Sequence, residues 1–263
     1  MDINTLFNHM WQDYLHQCPS ADAIHRLLGK GEAIINDHVA FRTFRAPGLG
    51  IDKLAQHFLA LGYEAKGEYH FEAKKLYARH YEHPDASQPK VFISELMLEQ
   101  CSEALQATVA KLVAQLPPGY TDEVAHLYGG APWQVTQEQY RSLLAESEYA
   151  AWLSAFGFRA NHFTVSVNDL SGFDTLEAVN EALKGAGFVL NSAGGEIKGS
   201  AEVLLEQSST MADKVAVAFN DGALEIPACF YEFALRYPMA DGALYSGFVA
   251  ASADKIFEST NAG

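Results

Sequence analysis

Apolar residues in the first thirty positions recur at helical spacing. Leu6, Met10, Trp11, Tyr14 and Leu15 fall three and four residues apart, and Ser20-Ala21-Asp22-Ala23 opens a second helical stretch carrying Ile24, Leu27 and Leu28. From Ala33 the period changes to two through His38-Val39-Ala40-Phe41-Arg42-Thr43-Phe44, and Pro47-Gly48 breaks it. A helical stretch from Ile51 to Leu61 ends at Gly62. Three strand-like runs follow, over 64–71, 76–83 and 90–98, with a turn at His83-Pro84-Asp85. The unit reads β-α-β-β-β.

The same order of signals returns after residue 160. A strand over Asn161–Asn168 leads to a helix over 173–184 and to Gly187, and strands are expected near 188–191, 202–208, 214–219 and 224–236. The tract from Gly194 to Glu202 reads as a turn-rich loop. His38 to Gly62 spans 24 positions and His162 to Gly187 spans 25, so the repeat rests on element order and spacing. Residues 99–158 between the copies read as mainly helical, broken at Pro117-Pro118-Gly119 and at Gly129-Gly130-Ala131-Pro132-Trp133. The predicted architecture is α+β, a single domain over 1–263. Its parts are N-terminal helices (1–32), a first βαβββ module (33–98), an inserted helical layer (99–158), a second module (159–240) and a tail (241–263).

At 49% hydrophobic, 263 residues suffice for a sizeable core. The formal net charge of −15 argues against nucleic acid or an anionic membrane as partner, because both demand a basic face. A small-molecule enzyme is the natural remainder. Three widely spaced cysteines, Cys18, Cys101 and Cys229, form no CxxC pair and suggest neither a disulfide framework nor a zinc knuckle. The N-terminus lacks the basic start and apolar run of a signal peptide, and no membrane span is expected. A reducing, cytoplasmic setting follows as the expectation.

Alternation of side chains assigns faces within the strands. His38, Ala40, Arg42 and Phe44 share one face of the first strand, opposite Val39, Phe41 and Thr43; His162, Thr164 and Ser166 share one face of its counterpart. Each module thus opens with a histidine on its more polar face, and two neutral imidazoles from paired first strands can meet at one metal ion. In the last strand Glu232 shares a face with Ala228, Phe230, Ala234 and Arg236, in an apolar run where a carboxylate must protonate, pair or ligate. Glu225 is its rival as the carboxylate ligand, although a neighbouring Asp221-Gly222 turn makes solvation easy. Glu95 is a reserve candidate for a fourth ligand. The bland readings are histidines that are merely hydrogen-bonded, Glu232 paired with Arg236, and Arg42 in a structural salt bridge. No HExxH, Walker, GxGxxG or GxSxG pattern occurs in a usable context.

The runs NDHVAFRTF, YAAWLSAFGF, NHFTVSVN and PACFYEFALRY resemble the 2-oxoadipate dioxygenase/decarboxylase family across most of residues 1–240. That family is similar in architecture to the vicinal oxygen chelate superfamily, whose paired βαβββ modules form a curved sheet around a metal. The resemblance implies His38 and His162 as iron(II) ligands, Glu232 as the carboxylate ligand and Arg42 as the residue that binds the substrate's carboxylate. It also implies O2 and a 2-oxo dicarboxylic acid as partners, with 2-oxoadipate giving 2-hydroxyglutarate and CO2. Zinc or nickel can replace iron in such a site during purification. The short tail suggests that pocket-closing elements of longer relatives are absent or replaced by the 99–158 layer. Two other functions fit the residues: a glyoxalase-type metal-dependent lyase or isomerase using Glu95 as fourth ligand, and a non-catalytic small-molecule binding protein.

Overall fold

The computed structural model describes residues 1–260. Helices α1 (Ile3–Gln17) and α2 (Ser20–Gly29) come first. Leu6, Met10 and Tyr14, spaced by one turn, form the buried stripe of α1, and Asp2 caps it by accepting from Thr5 N at 2.9 Å. The first module then runs β1 (Asn36–Phe44), α3 (Ile51–Leu59), β2 (Glu64–Phe71), β3 (Leu76–Glu82) and β4 (Lys90–Leu96). Helices α4 (Glu103–Val113), α5 (Gln137–Leu144) and α6 (Glu148–Phe156) occupy the stretch expected to be helical. The second half holds β5 (Ala160–Ser166), α7 (Leu176–Gly185), β6 (Lys198–Ser200), β7 (Leu205–Ser209), β8 (Lys214–Phe219), β9 (Gly222–Pro227) and β10 (Phe230–Arg236), followed by α8 (Ala250–Ile256).

Eight strands form one curled mixed sheet in the order β2-β3-β4-β1-β5-β10-β7-β6. Each half supplies four, in mirrored order, and β1 pairs antiparallel with β5 at the centre. There His38 lies opposite Thr164, Val39 opposite Phe163 and Ala40 opposite His162, so a pseudo-twofold axis passes beside Val39 and makes the two histidines equivalent. The outer hairpins match as well. A 3₁₀ turn at Glu72–Lys74 followed by Lys75 at φ 57° joins β2 to β3, and one at Ala201–Val203 followed by Leu204 at φ 64° joins β6 to β7.

Alternation sorts the sheet's two faces as expected. Phe41 meets Phe58 of α3 at 5.5 Å between ring centroids, while Phe163 meets Trp11 and Tyr14 of α1 at 5.1 and 5.0 Å. These contacts make the convex side the main apolar core, leaving the concave side to His38, Arg42, His162 and Glu232.

Three expectations need correcting. The strand predicted over 224–236 is two strands, because Pro227 has no N–H for a ladder and ends β9; β8 and β9 leave the main sheet as a separate hairpin. The strand expected near 188–191 is only an isolated bridge between Leu190 and Thr210, and the corresponding strand, β6, lies inside the tract read as loop. Gly199 explains that local form, since a Cβ there would stand 2.1 Å from Leu205 O. Finally, the pocket-closing elements expected to be absent or replaced by the 99–158 layer are supplied by the tail, which folds over the concave face as α8 and a 3₁₀ turn, Phe257–Thr260. Residues 261–263 of that predicted tail lie outside the described residues.

Candidate metal centre

His38, His162 and Glu232 converge as the register requires. Glu232 pairs with Thr164, the strand neighbour that also faces His38, so one carboxylate reaches both imidazoles. Its Oε2 lies 3.1 Å from His162 Nε2 and its Oε1 lies 3.6 Å from His38 Nε2. One donor atom from each residue fits within a 4.8 Å set, and all three residues are buried. The rings hold this aim through Nδ1: His38 against Asp37 Oδ1 at 2.8 Å, and His162 against Asn161 Oδ1 at 3.0 Å. An Nδ1–H donated to an oxygen leaves the Nε2 lone pair for a cation.

The electrostatics suit a cation. Burial opposes ionisation of Glu232, yet the two imidazoles outweigh it and, with the Gln207 amide 2.6 Å from Oε1, hold the carboxyl below its ordinary range. Burial pushes the His162 imidazole down, towards the neutral form that ligates, despite the pull of Glu232. Asp37 is likewise held well below the usual carboxylate range, because Arg236 and His38 overcome the cost of its burial. Among the described residues Glu232 Oε2 has no hydrogen-bond partner although it is buried. A buried carboxylate oxygen left bare is costly, and a cation between it and two imidazoles removes the cost. The donor set therefore fits a divalent metal.

The other candidates separate cleanly. Arg236 does not pair with Glu232; it makes a two-pronged contact with Asp37 at 2.6 and 2.9 Å. Glu225 is exposed on the β8–β9 hairpin. Glu95 points away from the concave face, accepts from Arg45 Nε at 2.6 Å and receives Ile51 N at 3.0 Å, so it caps α3 and is no ligand. Symmetry also speaks against it: Ala40 pairs with Phe92 as Thr164 pairs with Glu232, so Glu232's counterpart is Phe92. Arg42 lines the same cavity as the three ligand candidates, together with Phe92, Gln207, Phe248, Ile256 and Phe257. Sequence reasoning missed Asp37, Asn161 and Gln207. Asp37 and Asn161 each directly precede a candidate ligand histidine, a signal the sequence carried; Gln207 had none.

The family model for 2-oxoadipate dioxygenase/decarboxylase matches residues 2–128 and 119–243. The chain belongs to this family. Among 2-oxoadipate dioxygenase/decarboxylases, a chloroplastic one of Arabidopsis thaliana is 36% identical over 98% of this chain and 77% of its own length. Hydroxyglutarate synthase of Oryza sativa, solved in complex with 2-oxoadipate, superposes with a TM-score of 0.92 at 34% identity, covering 98% of this chain and 91% of that one. A solved Shewanella frigidimarina protein provisionally described as a hydrolase is 59% identical, with a TM-score of 0.92 over 95% of this chain and 98% of its own. Among the described residues no helix is long and apolar enough to cross a membrane.

Proposed function

We propose that this chain converts 2-oxoadipate and O2 to 2-hydroxyglutarate and CO2, with iron(II) held by His38, His162 and Glu232. One observation carries the reading: three metal-competent donors meet within 4.8 Å in a cavity that also presents a buried arginine. When bound, iron(II) supplies the redox chemistry, and two histidines with one carboxylate are the donor set that non-haem oxygenases use. The chain's own residues do the rest. Asp37 and Asn161 fix which nitrogen of each imidazole faces the centre. Gln207 holds Glu232 in place. Phe92, Phe248, Ile256 and Phe257 keep bulk water from the reacting end. Arg42 takes the distal carboxylate, the group that separates a dicarboxylic 2-oxo acid from a monocarboxylic one.

The same reading treats 1–260 as one domain, because the sheet is continuous across both halves. It places the enzyme in a reducing cytoplasm, in keeping with free, buried Cys18, Cys101 and Cys229. The test is anaerobic loading with iron(II), followed by 2-oxoadipate and O2. Oxygen consumption and CO2 release are expected in a one-to-one ratio, and oxygen uptake that does not depend on the 2-oxo acid rejects the activity.

A further inference from the structure

Two arginines are buried on the concave side, and they differ in how completely they are used. Arg236 spends its whole guanidinium internally: Nε and Nη2 on Asp37, and Nη1 on the carbonyls of Tyr245 and Gly247 at 2.8 Å each. Arg42, 1% exposed, does not. Its Nη1 donates to Glu148 Oε1 and Oε2 at 3.1 and 3.4 Å, its Nη2 to Thr260 Oγ1 at 3.0 Å, and its Nε–H has no partner among the described residues. The rings of Tyr149, Trp152 and Phe257, 5.0, 5.1 and 5.6 Å from the guanidinium carbon, fix its plane.

Nε–H and the adjacent Nη2–H lie side by side and form the edge that grips a carboxylate with two parallel hydrogen bonds. In Arg42 the Nε–H of that edge has no partner among the described residues, and Nη2 donates to a neutral hydroxyl. An unmet buried donor is costly to keep and implies an acceptor that arrives later. The Thr260 hydroxyl can leave at little cost, because it donates its own proton to Phe257 O at 3.1 Å. The turn that carries it stays anchored through Ser259, which bonds Asn191 Nδ2 and Ser209 Oγ at 2.9 and 2.8 Å. The cavity is tight, with about 20 Å³ of free space. That is room for a water or two, so a six-carbon ligand must push something aside.

We propose that Glu148, Arg42 and Thr260 form the specificity device for the substrate's distal carboxylate. Glu148 is the positioning residue that holds Nη1 and presents the free edge, and the Thr260 hydroxyl keeps the place that one carboxylate oxygen takes. The device rests on the 2-oxo dicarboxylic acid reading above.

Steady-state kinetics of the iron-loaded enzyme and its Thr260→Val, Glu148→Ala and Glu148→Gln variants test it. 2-Oxoadipate serves as substrate and 2-oxohexanoate, which lacks the distal carboxylate, as a competing ligand. Thr260→Val should lower KM for 2-oxoadipate about three- to tenfold, the net scale of one ordinary hydrogen bond. Its 2-oxohexanoate inhibition constant should not move. Glu148→Ala should raise KM for 2-oxoadipate about tenfold, with most of that loss restored in Glu148→Gln and no change for 2-oxohexanoate. An unchanged or raised KM in Thr260→Val, or equal shifts for both ligands, overturns the device. Failure of the wild-type enzyme to turn over 2-oxoadipate instead rejects the activity on which it rests.

Discussion

At the scale of single residues, the two candidate ligand histidines are equivalent by symmetry but not by support. His38 leans on a carboxylate, Asp37, which Arg236 neutralises; His162 leans on the uncharged amide of Asn161. An anionic partner makes an imidazole the more basic ligand, and such supporting groups typically contribute 10- to 100-fold in metal affinity. Asp37→Asn keeps an acceptor for Nδ1 but removes the charge. Titration against a competing chelator should find its metal affinity weaker by about 10-fold or more, and an unaltered affinity would show that the charge of Asp37 serves Arg236 alone. The sequence made His38, His162 and Glu232 legible because each is a polar residue on a strand face that alternation defines. It did not reveal Asp37's role, since the residue partnering Arg236 is set by how β1 and β10 come together across β5.

Elements tell the same story on a longer scale. The first module was readable to within a residue or two because turn residues punctuate every strand. The second was harder, since a hairpin has been inserted before β10 and Pro227 alone marks the break. Glu95 illustrates what periodicity cannot decide. It is the reserve candidate for a fourth ligand, but the parallel register of β4 with β1 makes Phe92 the match to Glu232 and turns Glu95 to the helical side. There it sits at the start of α3, behind Gly50 at φ 112°, where a Cβ would stand 3.0 Å from the Glu95 carboxylate. Glu95→Ala should therefore cost about 1–2 kcal/mol of stability, the scale of a lost helix cap, and leave metal stoichiometry unchanged. Denaturant unfolding and metal analysis together check this, and loss of metal from a folded variant would return Glu95 to the centre. The tail's fold is legible only in three dimensions: Phe248, Ile256 and Phe257 show no strong period, and only the concave sheet gives them something to cover.

For the whole molecule, a metal at this site bridges the two halves, with His38 from one and His162 and Glu232 from the other. A ligand bound only by the folded state stabilises it, by about 4 kcal/mol when free metal stands at a thousand times Kd. The metal-free protein should thus melt in one step at a lower temperature than the loaded one. Acid should erase the difference. The His162 imidazole and the Glu232 carboxyl both sit below their unfolded values, so each contributes stability at higher pH and loses it as protons bind. The gap in melting temperature should begin to close below about pH 6.5 and vanish by the time the carboxyl is protonated. Calorimetry with and without metal across that range measures it, and a gap that persists once the carboxyl is protonated contradicts the ligand set.

The substitution of an aromatic ring for a carboxylate at Phe92, the mirror position of Glu232, has an electrical consequence. Two neutral imidazoles and a single anion would offset only half the charge of a divalent ion, and the Asp37 carboxylate behind His38 is already paired with Arg236. A second acid at the mirrored position would have balanced that charge and given an incoming 2-oxo carboxylate little to neutralise. By breaking its own symmetry at one pair of residues, the fold keeps a debt of one negative charge that only an anionic guest settles.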